Sequence, residues 1–183
     1  TMTVDPVRYE DRPESRVLDE EQIQQIRQAA DNAEVFPSQV SRGGVIGPDG
    51  ETINFFTGGG VRGIEDPSAF YETQTGEVPT DFQSEVAVVG ANFAESNDIS
   101  TGDMIEIPAT GGSRFRVVGI LNEQGDDPLS ADSSVFVPLS AFDRDEYDQA
   151  IVKASIQFTD AETVAESIRT NMNDRDRVVD VTT

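Results

Sequence analysis

The sequence predicts an α+β protein in which two β-α-β units flank a β-rich insert. Three observations carry that prediction. Long helical spacing of apolar residues occurs near each end of the chain, strand-like stretches border both helices, and the middle is broken by turn signals at short intervals.

Near the start, "TMTVDPVRY" reads as a strand and "LDEEQIQQIRQAADNA" as a helix. Asp19 is placed as N-cap, Gln22 completes a capping box, and Leu18 and Ile23 are spaced for a hydrophobic staple. Ile23, Ile26 and Ala30 recur at helical spacing. "EVFPSQVSR" is the second strand, and Pro37, which has no N–H, makes it an edge or a bent strand.

The other end repeats this plan. In "QAIVKASIQF", Val152, Ala154, Ile156 and Phe158 share one face, with Lys153, Ser155 and Gln157 on the other. Asp160 caps the next helix, whose inner stripe is Val164, Ile168 and Met172 with Ala161 and Ala165 beside it. "RVVDVTT" closes as a strand.

Between the two lies an insert, residues 43–148, rich in turn signals: "GPDGE", "TGGG", "EDPS", "ATGGS" and "QGDDP". Short strands are expected at "TINFF", "EVAVVG", "MIEI", "RFRVVGIL" and "SVFVPL", a short helix at "ANFAESN", and a single helical turn at "DPSAFYE". "SSVFVPLSAF" reads as an alternating, buried strand from Val135 to Leu139. The predicted domains are therefore a discontinuous α/β subdomain, 1–42 with 149–183, and an inserted subdomain, 43–148.

Two β-α-β units in one sheet make a ferredoxin-like, split β-α-β arrangement. Each crossover returns its strand parallel to the one before, and the second unit runs antiparallel to the first. The start of the first strand and the end of the last fall on one edge, and the insert leaves from the opposite edge. A domain held by both ends has this form.

Composition bounds the chemistry. A chain of 183 residues suffices for one good core or two small subdomains. Its apolar share is only 36 %, yet Val, Ile and Phe are plentiful, as in a folded protein. No run approaches the roughly 20 apolar residues of a membrane helix, and nothing at the start resembles a signal peptide, so the chain reads as soluble. Against 13 basic residues stand 35 acidic ones, a net charge of −22 spread along the chain, which argues against nucleic acid as a partner. The only Lys is Lys153, and Leu is confined to Leu18, Leu121, Leu129 and Leu139. Diffuse acid with almost no Lys suggests a halophilic protein, because multimolar salt shortens the Debye length to about 3 Å or less and screens self-repulsion. An acidic surface for a cationic partner is the competing reading.

The absence of Cys and His removes disulfides, thiolate nucleophiles, the usual zinc sites and the commonest general base. "GGGVRG", Gly58 to Gly63, satisfies G-x-G-x-x-G, but Asp66-Pro67 follows where a dinucleotide site needs a helix, and Glu65 and Asp66 repel phosphate. A flexible turn is the expected structure. The acid clusters "PDGE" and "NDRDR" lack the EF-hand register and read as solvated surface. No carboxylate pair stands out as shielded in the way a glycosidase-like acid requires. "TGGG" and "GDDPLSADSS" read as exposed, mobile connecting loops. Phe55 and Phe56 are expected to diverge, one ring toward the core and one near the surface, the exposed ring being a candidate contact. No catalytic residue, cofactor site or metal site is assigned, and partner-binding residues are not identified.

From residue 61 the order of pieces resembles a known family. "VRGIEDPSAF" looks like a strand followed by a Gly…Pro-x-x-Phe element, and "VAVVGANFAESNDISTGDMIEI" matches the next segment at Val89-Gly90, Ala94, Gly102-Asp103, Ile105 and Ile107. "FRVVGIL" and "DSSVFVPLSAF" follow in order, and the two flanking helices fit as well. The whole is similar to the MacB-like periplasmic core domain of FtsX/LolC/MacB-type ABC transporter permeases. Asn97-Asp98 and Thr101 stand where that family usually has Leu-Gly and Val, which implies a shorter or differently capped helix after Gly90.

The resemblance implies an extracytoplasmic domain between the first and second transmembrane helices of a permease, with a membrane-proximal porter half and an inserted sabre half. It implies a non-catalytic part that transmits ATPase-driven motion. The implied partners are a cytoplasmic ABC ATPase, a second permease copy, and an accessory extracellular protein or a lipid or peptide cargo. The alternatives are a free-standing secreted or lipid-anchored binding module of the same architecture and, less favoured, an enzyme using a carboxylate pair.

Overall fold

The computed structural model describes residues 1–6, 17–30, 33–56, 58–154, 161–173 and 179–183. It divides into two compact units, residues Thr1–Gln39 with Arg144–Thr183, and Val40–Asp143. Among the described residues, no helix is long and apolar enough to cross a membrane.

The first unit contains β1 (Met2–Pro6), α1 (Glu20–Ala29), β2 (Ala33–Ser41), β11 (Gln149–Ala154), α3 (Ala161–Met172) and β12 (Val179–Thr182). Its strand order is β12-β1-β11-β2 with every neighbouring pair antiparallel. This is the ferredoxin-like arrangement. α1 starts where the residues dictate: Gln22 N donates to Asp19 Oδ1 at 2.8 Å, and Asp19 N donates to Gln22 Oε1 at 3.0 Å. Leu18 and Ile23 are both buried in the same cluster, as a staple requires. Ile23, Ile26 and Ala30 of the α1 segment and Val164, Ala165, Ile168 and Met172 of α3 pack with Met2, Val4, Ala150, Val152 and Val179 from the strands. Each such aliphatic side chain contributes about 1.5–3 kcal/mol when fully buried. Ile156, Phe158 and the Asp160 cap lie outside the described residues.

Register fixes where the chain enters and leaves this unit. Thr3 lies opposite Thr182 and Pro6 opposite Val179, so both chain ends are at one end of the sheet. Ser38 pairs with Gln149 at the other end, where β2 leaves and β11 returns. Pro37 is tolerated opposite Ala150 because β2 is the outermost strand of this unit. Gln39 ties the departing segment to the returning one: its Nε2 donates to the carbonyls of Arg144 (3.0 Å) and Glu146 (2.7 Å).

The second unit holds β3 (Val45–Ile46), β4 (Thr52–Ile53), β5 (Val61–Ile64), β6 (Thr73–Gly76), β7 (Val86–Val89), α2 (Ala91–Ser96), β8 (Met104–Ile107), β9 (Ser113–Leu121) and β10 (Val135–Pro138). Its strands run β5-β10-β7-β9-β8-β3-β4, with β6 also on β9. Pairs β5–β10 and β7–β9 are parallel. The predicted helix and helical turn form, at α2 and at Pro67–Ala69. β3 and β6 were not anticipated, and "TINFF" is a strand only at Thr52–Ile53.

β10 differs from the expected alternation, for Val135, Phe136, Val137 and Pro138 are all buried. The strand lies between β5 and β7, and both faces are covered: Val135 and Val137 join the Phe93–Phe115 core, while Phe136 packs against Tyr71 with ring centroids 5.5 Å apart. α2 is short, as its residues imply. Asn97 Nδ2 donates back to Phe93 O at 2.8 Å, and Asp98 takes a left-handed φ of 52°, a turn that glycine adopts more cheaply.

Candidate functional site

Two places in the second unit concentrate polar or aromatic chemistry. The first surrounds Arg62 and the loop 122–134. Arg62 is buried on β5, and its Nε donates to Leu129 O at 2.9 Å. Asp127 Oδ2 accepts from the Tyr71 hydroxyl (3.0 Å), Leu129 N (3.2 Å) and Ala131 N (3.1 Å). Asp132 accepts from Gln124 N and Gly125 N, each at 2.8 Å. Burial, then the Asp127 charge and its hydrogen bond, push the Tyr71 phenol well above its ordinary value of 10.0.

This corrects the reading of "GDDPLSADSS" as an exposed, mobile loop. Leu129, Ala131, Asp132 and Ser134 are all buried. The carboxylates that looked like surface acid satisfy the loop's own amides, which water no longer reaches. Asp127 and Asp132 are the shielded acids an enzyme reading would seek, and both already hold hydrogen-bond donors from the fold. They organise a loop.

The "GGGVRG" stretch is also corrected from a flexible turn. Gly59 and Gly60 are buried, and residues 61–63 belong to β5. A Cβ on Gly59 would overlap the Ser133 carbonyl, and one on Gly63 would sit 2.6 Å from the Phe142 ring. Close packing therefore accounts for these glycines. The Asp66 carboxylate caps the following turn by accepting from Ser68 N at 3.0 Å. No helix long enough to receive a phosphate follows.

The second place is an open groove of about 700 Å³ between the β3–β4 turn, the segment after β4, and α2. The turn is fixed by Gly47 N donating to Glu51 O (2.8 Å) and Glu51 N donating to Asp49 Oδ1 (3.0 Å). Phe55 stacks on Phe93 at 5.4 Å with planes 19° apart, while Phe56 turns outward at 88 % exposure. The expected divergence of the two rings is observed. Asp49, Glu51 and Asp98 line the groove, and no Lys or Arg does. Among the described residues, no group of three or more Asp or Glu side chains is disposed to hold a metal ion.

These features define a two-unit α+β domain, ferredoxin-like in one unit and β-rich in the inserted other, whose buried acids support structure. The chain belongs to the MacB-like periplasmic core domain family, whose profile matches residues 1–171. Among solved structures it is similar to the periplasmic region of MacB from Actinobacillus actinomycetemcomitans, with 14 % identity and TM-score 0.68, covering 100 % of this chain and 87 % of that one. It is also similar to the extracellular domain of the noncanonic ABC-type transporter YknZ from Gram-positive bacteria, with 16 % identity and TM-score 0.62, covering 100 % of both chains. At these identities the two likenesses show the fold. No curated protein sequence matches the chain.

Proposed function

We propose that this chain is the extracytoplasmic domain of an ABC-type transporter permease. It is non-catalytic, transmits conformational change driven by a cytoplasmic ATPase, and contacts cargo or an accessory extracellular protein. Residues 1–42 and 149–183 act as the membrane-proximal, porter-like half, and 43–148 as the sabre-like half. The permease works as a pair of copies.

The match of residues 1–171 to the family carries this reading. The pairing of Thr3 with Thr182 supports it, because a domain anchored through both ends must present them together. A relay also needs well-packed levers more than reactive groups, and the acids at Asp127 and Asp132 are used in packing a loop.

The test is the coding sequence on either side. Apolar segments of roughly 20 residues before and after the chain are expected. A signal peptide before it and a stop codon directly after it would overturn the permease assignment and favour a free-standing binding module.

A further inference from the structure

The groove beside α2 combines three properties that a merely solvated surface does not need together. Phe56, at 88 % exposure, is the only exposed large hydrophobic side chain among the described residues. Its neighbour Phe55 and Phe93 form a stacked aromatic wall at 5.4 Å. The charged side chains of the lining, Asp49, Glu51 and Asp98, are all acidic. An exposed aromatic beside a negatively charged rim is complementary to a ligand that is apolar and cationic at once. Anionic ligands such as nucleotides or acidic lipid headgroups meet repulsion here. The volume of about 700 Å³ lies within the usual range of ligand sites.

We propose that this groove docks a cationic, amphipathic peptide segment in which an Arg or Lys adjoins an apolar side chain. The apolar side chain covers Phe56, and the cationic head reaches the Asp49–Glu51 turn or Asp98 and lies against an aromatic face. The proposal deepens the contact-making part of the proposed function and rests on it for the biological source of the peptide. Binding itself is a property of the 183-residue chain and is measured on it.

The chain has no Trp, so Phe56→Trp places a single fluorescent reporter at the groove. The probes are a ten-residue peptide alternating Arg and Leu, its Glu-for-Arg counterpart, a ten-residue oligolysine, and a small alkylammonium ion. The Arg-Leu peptide is expected to shift the reporter to the blue and the Glu peptide to leave it unchanged. Isothermal titration on the natural chain is expected to show at least tenfold weaker binding after Phe56→Ser, and again after combined Asp49→Asn, Glu51→Gln and Asp98→Asn. Asn tolerates the left-handed backbone at position 98. Phe56 is exposed, so its loss leaves the core intact.

Equal binding by natural chain and Phe56→Ser, or an equal response to oligolysine, would overturn the proposal in favour of diffuse charge attraction. No binding of the Arg-Leu peptide would also overturn it, as would a response to the alkylammonium alone. None of these failures alters the flanking-sequence test of the permease reading, and failure of that test leaves these titrations interpretable.

Discussion

The Tyr71 hydroxyl donates to Oδ2 of Asp127 at 3.0 Å, joining the segment after the Pro67 turn to a loop 56 residues further along the chain. The same oxygen accepts the amides of Leu129 and Ala131, so one carboxylate anchors a side chain and a loop.

Tyr71→Phe removes one of these donors and is expected to cost about 1 kcal/mol near neutral pH, a typical net value for one hydrogen bond. Its pH signature is more specific. The folded phenol titrates above its ordinary 10.0, so the folded state retains a proton that the unfolded chain releases. The stabilisation is complete below about pH 10 and declines as pH rises beyond it. Urea denaturation of both proteins from pH 8 to 11 should show their stabilities converging at the alkaline end. A constant difference across that range would contradict the assignment.

Asp127→Ala leaves two loop amides and a buried phenol without their acceptor. Orphaned donors cost about 1–3 kcal/mol each, with partial relief from water, so a loss of about 3 kcal/mol is expected. Asp127→Asn keeps one acceptor oxygen and should cost less. Hydrogen exchange would show the amides of Leu129 and Ala131 losing protection in the Ala variant first.

Gln39→Glu replaces a side-chain amide that donates to two carbonyls with a group that, when ionised, only accepts. The expected destabilisation is about 2–3 kcal/mol at pH 7. Burial against carbonyls raises the introduced carboxyl's pKa in the fold, so the deficit should shrink as pH falls through that value. Thermal melts at pH 7 and pH 4.5, compared with the natural chain, check this. A deficit that is independent of pH would show that the two carbonyl contacts do not govern stability.

The net charge of −22 makes stability sensitive to screening. Raising sodium chloride from 0.1 M to 2 M is expected to raise Tm by at least about 5 °C, where 1 kcal/mol corresponds to about 2–4 °C for a domain of this size. An unchanged Tm would remove the inference of a high-salt protein.

What could be read in advance, and what could not, follows from the range of the interactions. α1 was legible because its start is written in five adjacent residues, Leu18 to Gln22 and then Ile23, and its face in a local period. β3 and β6 are only two and four residues long and exist through pairing with β8 and β9, which no local pattern encodes. Asp127 and Asp132 misled because an Asp that faces water and one that binds its own loop's amides look the same in sequence. The glycines at 59 and 63 suggested a phosphate loop, whereas the reason for them lies at Ser133 and Phe142. Of the groove, only the divergence of Phe55 and Phe56 was visible, since Phe93 and Asp98 join it through the fold.

The antiparallel register of Thr3 with Thr182 also has a mechanical consequence. Hydrogen bonds in an antiparallel ladder lie across the strands. A load that pulls the two chain ends apart sideways therefore opens the β1–β12 ladder one rung at a time, the weakest way to resist force. A load directed along the strands, with both ends moving together, is shared by all the rungs at once. The sheet is thus stiff toward a push or pull common to its two ends and compliant toward their separation, so whatever holds those ends can drive the domain only by moving them in step.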